Sequence, residues 1–398
     1  MQRFTRRYFA TAGAAALATF AVHATALAAD TIKIGVILPY SGVFADTATD
    51  VDAGIKLYMS QHGDMIAGKK IEIIRKDVGG ANPAAAKRLA QELLTRDKVD
   101  ILTGFVLTPN AMAASDISAE AKMPMVIMNA ATSSIVTKSP YSVRVSMTEA
   151  QLDTPFGAWA AKEGIKTTYI MVSDYGPGHD AEKFFGAAFA AAGGKVLGSV
   201  RMPVANVDFS AFVQGAKDSG AQSIFVFLPA GPAPSALMKT FLERGISPDK
   251  VKILGSGNLT DVRVLKTLPN EAAGVITSFH YDPAHKSAAN AAFVKAFRAA
   301  NKDETPNLLA VGGYDGMHLI YETLKKTGGK ADGETFIAAA KGMKWESPRG
   351  PVSIDPNTRD IVQNVYVRRL DKVGGRLENV EIYTAKDVKD PGKEPATK

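Results

Sequence analysis

Ile32-Lys33-Ile34-Gly35-Val36-Ile37-Leu38, running straight into Pro39-Tyr40-Ser41-Gly42, decides how the rest of the chain is read. Its β-branched content marks a buried strand. Beyond it, strands and helices alternate. Val51–Tyr58 suits an amphipathic helix and Ile71–Asp77 a strand. Pro83–Arg96 is a helix with proline in its first turn and an apolar face at Ala86, Leu89, Ala90 and Leu93. Asp100–Gly104 reads as a strand, Asn110–Ala121 as a helix and Met125–Met128 as a strand.

A second series then begins. Helices are expected at Leu152–Glu163, Ala181–Ala192, Asp208–Lys217 and Pro234–Arg244, with strands at Thr168–Ser173, Val196–Arg201, Ser223–Leu228 and Lys252–Leu254. Gly193-Gly194 ends one of these helices, and Asp208 is a candidate N-cap. Two successive βα series predict an α/β protein with two doubly wound parallel sheets, each covered by helices. The tail breaks the pattern. Ala289–Ala300, Leu308–Lys326 and Phe336–Lys341 read as helices, and Val352–Ile354, Val362–Leu370 and Glu378–Tyr383 as strands. Residues 391–398 hold Pro391 and Pro395 and are expected to fray.

The bulk properties agree with a large two-domain protein. The chain has 398 residues, 46% hydrophobic and 22% charged. Its formal charge is +7, which falls to +4 once Arg3, Arg6 and Arg7 are removed with residues 1–29. No dense basic cluster is present, so no nucleic-acid partner is expected. Cysteine is absent, which excludes disulfides, thiolate zinc sites and a lipidated N-terminal anchor. Residues 1–29 look like an export signal: Thr5-Arg6-Arg7-Tyr8-Phe9, a weakly apolar run to Val22, and the small-residue stretch Ala24–Ala29. The arginine pair resembles a twin-arginine signal. A periplasmic, soluble, monomeric mature protein is the expectation.

At this point the motifs become recognisable. The opening strand and loop, Ile34–Gly42, resemble those of type I periplasmic solute-binding proteins of ABC importers, and more narrowly the leucine/isoleucine/valine-binding-like, branched-chain amino-acid-binding family. Further matches come in order: Asn82-Pro83, Ala113-Ala114-Ser115-Asp116-Ile117, Pro124–Thr132, Tyr175-Gly176-Pro177-Gly178, Asp208–Ala211 and Gly312-Gly313-Tyr314-Asp315. The resemblance implies a three-segment hinge, with crossings near Ser146, His280 and Trp345. One lobe would be residues 30–147 plus 282–344, the other 148–281 plus 345–390. It also implies a carboxylate-bearing ligand, a membrane permease and its ATPase as partners, no cofactor and no catalysis.

Doubly wound sheets bind ligands beyond the carboxyl ends of their strands. The candidate loops are therefore 40–47, 105–110, 129–134, 174–179, 229–232 and 255–261. Thr108, Ala130 and Thr132 occupy the positions where, by resemblance, the ligand's carboxylate is held. Helix capping is the plainer role for the two threonines. Phe44, Phe105 and Tyr175 are candidates for an aromatic cleft wall or for plain core, Thr47 is a further candidate, and His179 is one for an anion donor or an exposed rim residue. Ala230, Gly231, Gly257 and Asn258 complete the candidate set from the other lobe. That lobe departs from the family. No acid stands at Gly255-Ser256-Gly257-Asn258 to meet a ligand ammonium, and Pro229-Ala230-Gly231-Pro232 replaces the family's aromatic. A carboxylate lacking a free amine, benzoate-like or phenylpropenoate-like, is the favoured ligand, and a hydrophobic amino acid stays open. The six histidines form no HxH or HxxxH pair, and no nucleophile elbow or phosphate loop appears. A sensor or chemoreceptor subunit is the nearest alternative role and an exported hydrolase a remote one.

Overall fold

In a computed structural model the chain is described over residues 30–393. The export-signal reading of residues 1–29 lies outside them.

Strands β1 (Thr31–Leu38), β2 (Met65–Ile66), β3 (Lys69–Asp77), β4 (Ile101–Gly104), β5 (Met125–Ile127) and β6 (Ser142–Arg144) form one sheet in the order β2-β3-β1-β4-β5-β6. All its pairings are parallel except that of β2 with β3. β1 is central because both of its faces are apolar. Ile32, Ile34, Val36 and Leu38 enter one core cluster and Ile37 the other. Helices α1 (Ala45–His62), α2 (Pro83–Glu92), α3 (Thr108–Ala121) and α4 (Ile135–Lys138) belong to this half of the chain.

The chain then enters α5 (Glu149–Lys162), β7 (Thr167–Ser173), α6 (Gly176–Ala191), β8 (Lys195–Met202), α7 (Ser210–Asp218), β9 (Ser223–Phe227), α8 (Ala233–Glu243), β10 (Lys252–Ser256), α9 (Val262–Leu265) and β11 (Ile276–Phe279). The remaining elements are α10 (Ala288–Ala300), α11 (Leu308–Thr327), α12 (Gly333–Ala340), β12 (Lys344–Ser347), β13 (Gly350–Ile354), β14 (Ile361–Val373) and β15 (Arg376–Val388). The second sheet runs β12-β13-β14-β11-β10-β9-β7-β8, with β15 on β14. It is parallel from β8 to β11 and antiparallel beyond, because hairpins of the C-terminal segment add its last strands.

The tail also returns to the first lobe. α11 packs along α1, and α12 reaches β6. α1 and α11 approach closely because Gly54 and Gly313 face the other helix's backbone, leaving no space for a methyl at either position. Both sheets reverse strand order beside their first strand, between β1 and β4 and between β7 and β9. Those are the crevices where loops diverge and a ligand fits.

The segments between lobes are held by buried arginines. Arg349 donates to Ser146 O at 3.0 Å and pairs with Asp315 at 2.8 Å. Arg368 donates to Tyr281 O at 3.0 Å and pairs with Asp282 at 2.8 Å. Arg144 pairs with Asp360 at 2.8 Å. Burial of such cations requires these partners. Burial and the Arg349 and Arg368 cations push His280 well below its usual range, so it is neutral. Within the tail expected to fray, Pro391–Lys393 form a turn, and Lys393 pairs with Asp390 at 2.9 Å and with Asp360; residues 394–398 of that expectation lie outside the described residues.

Candidate functional site

The loops beyond β4, β5, β7, β9 and β10 converge between the lobes on a small, tightly closed cavity. Val106, Leu107, Asn129, Ala131 and Leu308 line it from the first lobe, and Met147 from the chain crossing. Glu149, Tyr175, Pro177, Phe227, Pro229, Ala230 and Asn258 close it from the second. The Tyr175 and Phe227 rings lie 6.1 Å apart and tilted by 30°, giving it an aromatic wall.

Polar groups are few and sharply divided. Among the described residues the amides of Leu107 and Ala131 meet no acceptor, and α3 begins at Thr108 with its dipole's positive end toward the cleft. Those donors suit an anion. Acceptors lie elsewhere: Asn129 Oδ1, Asn258 Oδ1 and Glu149 Oε2 are each buried without a hydrogen-bond partner among the described residues. Glu149 opens α5 just after its N-cap Thr148, and its amide donates to Ala131 O at 3.1 Å across the lobes. Burial, with the charge of Asp180, pushes its carboxyl well above the usual range.

Of the residues chosen from sequence, Tyr175, Ala230 and Asn258 line this cavity. Phe44 and Gly231 line an adjoining apolar pocket of about 200 Å³, where a methyl on Gly231 would lie 3.4 Å from the Phe44 ring. Thr47 lies on a third pocket and donates to its own helix's start, at Phe44 O. Thr108 and Thr132 share a hydrogen bond of 3.2 Å and sit against Gly176 of the other lobe.

Four of the chosen residues lie away from this cavity. Phe105 faces the first lobe's core with Ile37 and Leu102. Ala130 spends its amide on Phe105 O and its carbonyl on Arg144, so neither is free for a ligand. His179 lies outside the cavity, half exposed, paired with Asp174 at 2.7 Å. Gly257 packs behind the cavity against Phe279 and Arg368. Sequence reasoning missed Glu149, Phe227, Met147 and Leu308, and placed Asn129 only within a candidate loop. Glu149 carried a signal, since it lies just past the crossing at Ser146. An acid in a helix's first turn nevertheless reads as ordinary dipole complement.

The lobes touch around the cavity. Ser133 N donates to Asp180 Oδ2 at 3.0 Å. Arg263 reaches across to Asp50, with Nε–Oδ2 at 3.1 Å, and to Asp46 at 3.5 Å. Burial outweighs Arg263 at Asp50 and raises its carboxyl. Among the described residues no three His, Asp or Glu gather as a metal site, and no helix is long and apolar enough to cross a membrane.

Two lobes meeting over a small internal cavity, with the site divided between them, define a binding protein that encloses its ligand. Comparison with known proteins specifies which kind. The family model described as "Periplasmic binding protein" matches residues 31–375, and the chain belongs to that family. It is 47% identical over 379 residues to the Leu/Ile/Val-binding protein homolog 6 of Brucella abortus (strain 2308), covering 95% of this chain and 97% of that one. It is similar to a solute-binding protein of an ABC transporter from Rhodopseudomonas palustris BisB5, solved with 3,4-dihydroxybenzoic acid: 50% identity, TM-score 0.88, covering 92% of this chain and 100% of that one. A second such protein, from Rhodopseudomonas palustris HaA2 and solved with p-hydroxybenzoic acid, shares 45% identity with a TM-score of 0.87, covering 92% of this chain and 99% of that one. Family membership makes this a ligand-binding protein, not an enzyme.

Proposed function

We propose that this chain captures a benzoate-type aromatic acid in the interlobe cavity, in the periplasm, and delivers it to the permease of an ABC importer driven by its ATPase. The observation that carries this reading is the cavity's division of labour: an aromatic wall at Tyr175 and Phe227 opposite unpaired amides at a helix N-terminus. Amides hold a carboxylate without a cationic side chain, and the flat wall suits a ring. The likeness to two proteins solved with hydroxybenzoic acids supports it.

A second reading, a branched-chain or other hydrophobic amino acid, is supported by Glu149, a buried acid within reach of a ligand ammonium. A thermal-shift screen separates the two. Ligand at about 100 times its dissociation constant adds about 2.7 kcal/mol of stability. The expected outcome is a rise in melting temperature with benzoate-type acids and none with leucine, isoleucine or valine. A rise with the amino acids alone overturns the first reading.

A further inference from the structure

The cavity's acceptors have no work to do for a carboxylate. Asn129 Oδ1 and Asn258 Oδ1 cannot be turned into donors by flipping the amides, because each Nδ2 is already committed to a carbonyl. Asn129 Nδ2 donates to Val106 O at 2.9 Å and Asn258 Nδ2 to Leu228 O at 2.8 Å. Only the nitrogen can face a carbonyl oxygen, so each Oδ1 is fixed as an acceptor. Both are buried and unpaired among the described residues, as is Glu149 Oε2. Asn258 is 4% exposed and Glu149 1%. All three residues line the one cavity, two reaching it from the second lobe and Asn129 from the first.

A buried acceptor left without a donor costs about 1–3 kcal/mol. The two asparagine oxygens, fixed as acceptors around one small cavity, make sense if the occupant supplies donors, and a neutral Glu149 carboxyl can meet a hydroxyl as donor or acceptor. A carboxylate supplies none, and an unsubstituted ring supplies none. We infer that the ligand is an aromatic acid bearing ring hydroxyls, and that Asn129, Glu149 and Asn258 are the residues that read them. This rests on the cavity being the ligand site. The neutral state favoured for Glu149 fits a hydroxyl better than an ammonium, which would seek a carboxylate.

The test is calorimetry on the mature protein with benzoate, 4-hydroxybenzoate, 3,4-dihydroxybenzoate and leucine. At least one hydroxylated acid should bind tenfold or more tightly than benzoate, about 1.4 kcal/mol. In Asn258→Leu and Glu149→Leu that ratio should fall below about threefold. The ratio is read within one protein, so a variant that merely folds poorly loses both affinities. The milder Asn258→Ala and Glu149→Ala then carry the measurement. Equal affinities for benzoate and its hydroxylated forms overturn the inference and leave the aromatic-acid reading standing. A wild-type ratio retained in both variants overturns the residue assignment. Leucine binding with no aromatic acid bound overturns the aromatic-acid reading itself, and the inference with it.

Discussion

At Gly176 the second lobe lies directly against the first. A methyl there would meet Thr132 Oγ1, Thr132 Cβ and Thr108 Cγ2, all from the first lobe, and nothing closer in its own. Gly176→Ala is therefore compatible with the second lobe alone but obstructs closure. Its ligand affinity should fall tenfold or more, about 1.4 kcal/mol, while its denaturant midpoint without ligand drops by far less than a buried clash would cause. Titration calorimetry and a urea melt on the same sample check both parts. Sequence could place Thr108, Thr132 and the 174–179 loop near the cleft, because strand ends and helix starts are legible. It could not tell which backbone groups were already spent. Ala130 matches the family position, yet its amide and carbonyl are satisfied within the lobe. Nor could it tell which way Phe105 faces, since one residue at a strand end turns toward core or cleft according to the loop after it.

Helix α5 carries Glu149 and Asp153 one turn apart on a buried face. Neither carboxylate oxygen of Asp153 has a partner among the described residues. Burial first, then Glu149 and Asp180, push it well above the usual range. Asp180 faces this pair from α6, with Arg144, Lys183 and Asp390 around Asp180, and the Tyr175 phenol, itself pushed up, lies near Glu149. A carboxyl whose folded pKa is raised keeps a proton that the unfolded chain has lost. Stability therefore falls as pH rises from the unfolded value of about 4 toward the folded one, and stays low above it. Asp153→Asn should flatten that fall: more stable than wild type at pH 8 by roughly 1 kcal/mol or more, with no gain near pH 3.5. Chemical denaturation at the two pH values decides it, and equal stability at pH 8 would refute it.

The beginning of α5 also shows what sequence periodicity sees. The apolar pattern predicts a start at Leu152, whereas the helix starts at Glu149 because the Thr148 hydroxyl caps Gln151 N. α1 likewise starts at Ala45, six residues before its apolar face becomes evident at Val51. Where a polar first turn precedes the apolar face, as in α5 and α1, the start is not legible, whereas α2 and α11 begin at Pro83 and Leu308 as expected. The long β14–β15 hairpin reads too short for the same reason, because its outer residues are exposed and carry no apolar alternation.

Across the whole molecule, the two lobes are joined at one end by buried, ion-paired arginines and at the other by partly exposed Arg263 with Asp50 and Asp46. The first arrangement suits a hinge, because breaking a buried ion pair is costly. The second is a clasp that water and salt can compete for. An exposed pair contributes up to about 1 kcal/mol, so Arg263→Ala should speed ligand release by no more than about fivefold. The difference from wild type should shrink in high salt. Stopped-flow release at low and high ionic strength tests this. A hundredfold acceleration, or one indifferent to salt, would mean that Arg263 touches the ligand instead.

The return of the C-terminal segment to both lobes constrains how the polypeptide is assembled in time. Tyr321 donates to Gly63 O and Asn307 to Asp50, contacts 258 and 257 positions apart along the chain. While a ribosome has made only the chain up to residue 281, the first sheet lacks α10 to α12, and the second lacks β12 to β15. No unfinished chain up to that point contains a complete lobe, and contacts so distant in sequence form slowly. A nascent chain thus presents unfinished apolar faces until nearly its last residues emerge, and a chaperone that holds it open has most of the translation time in which to act.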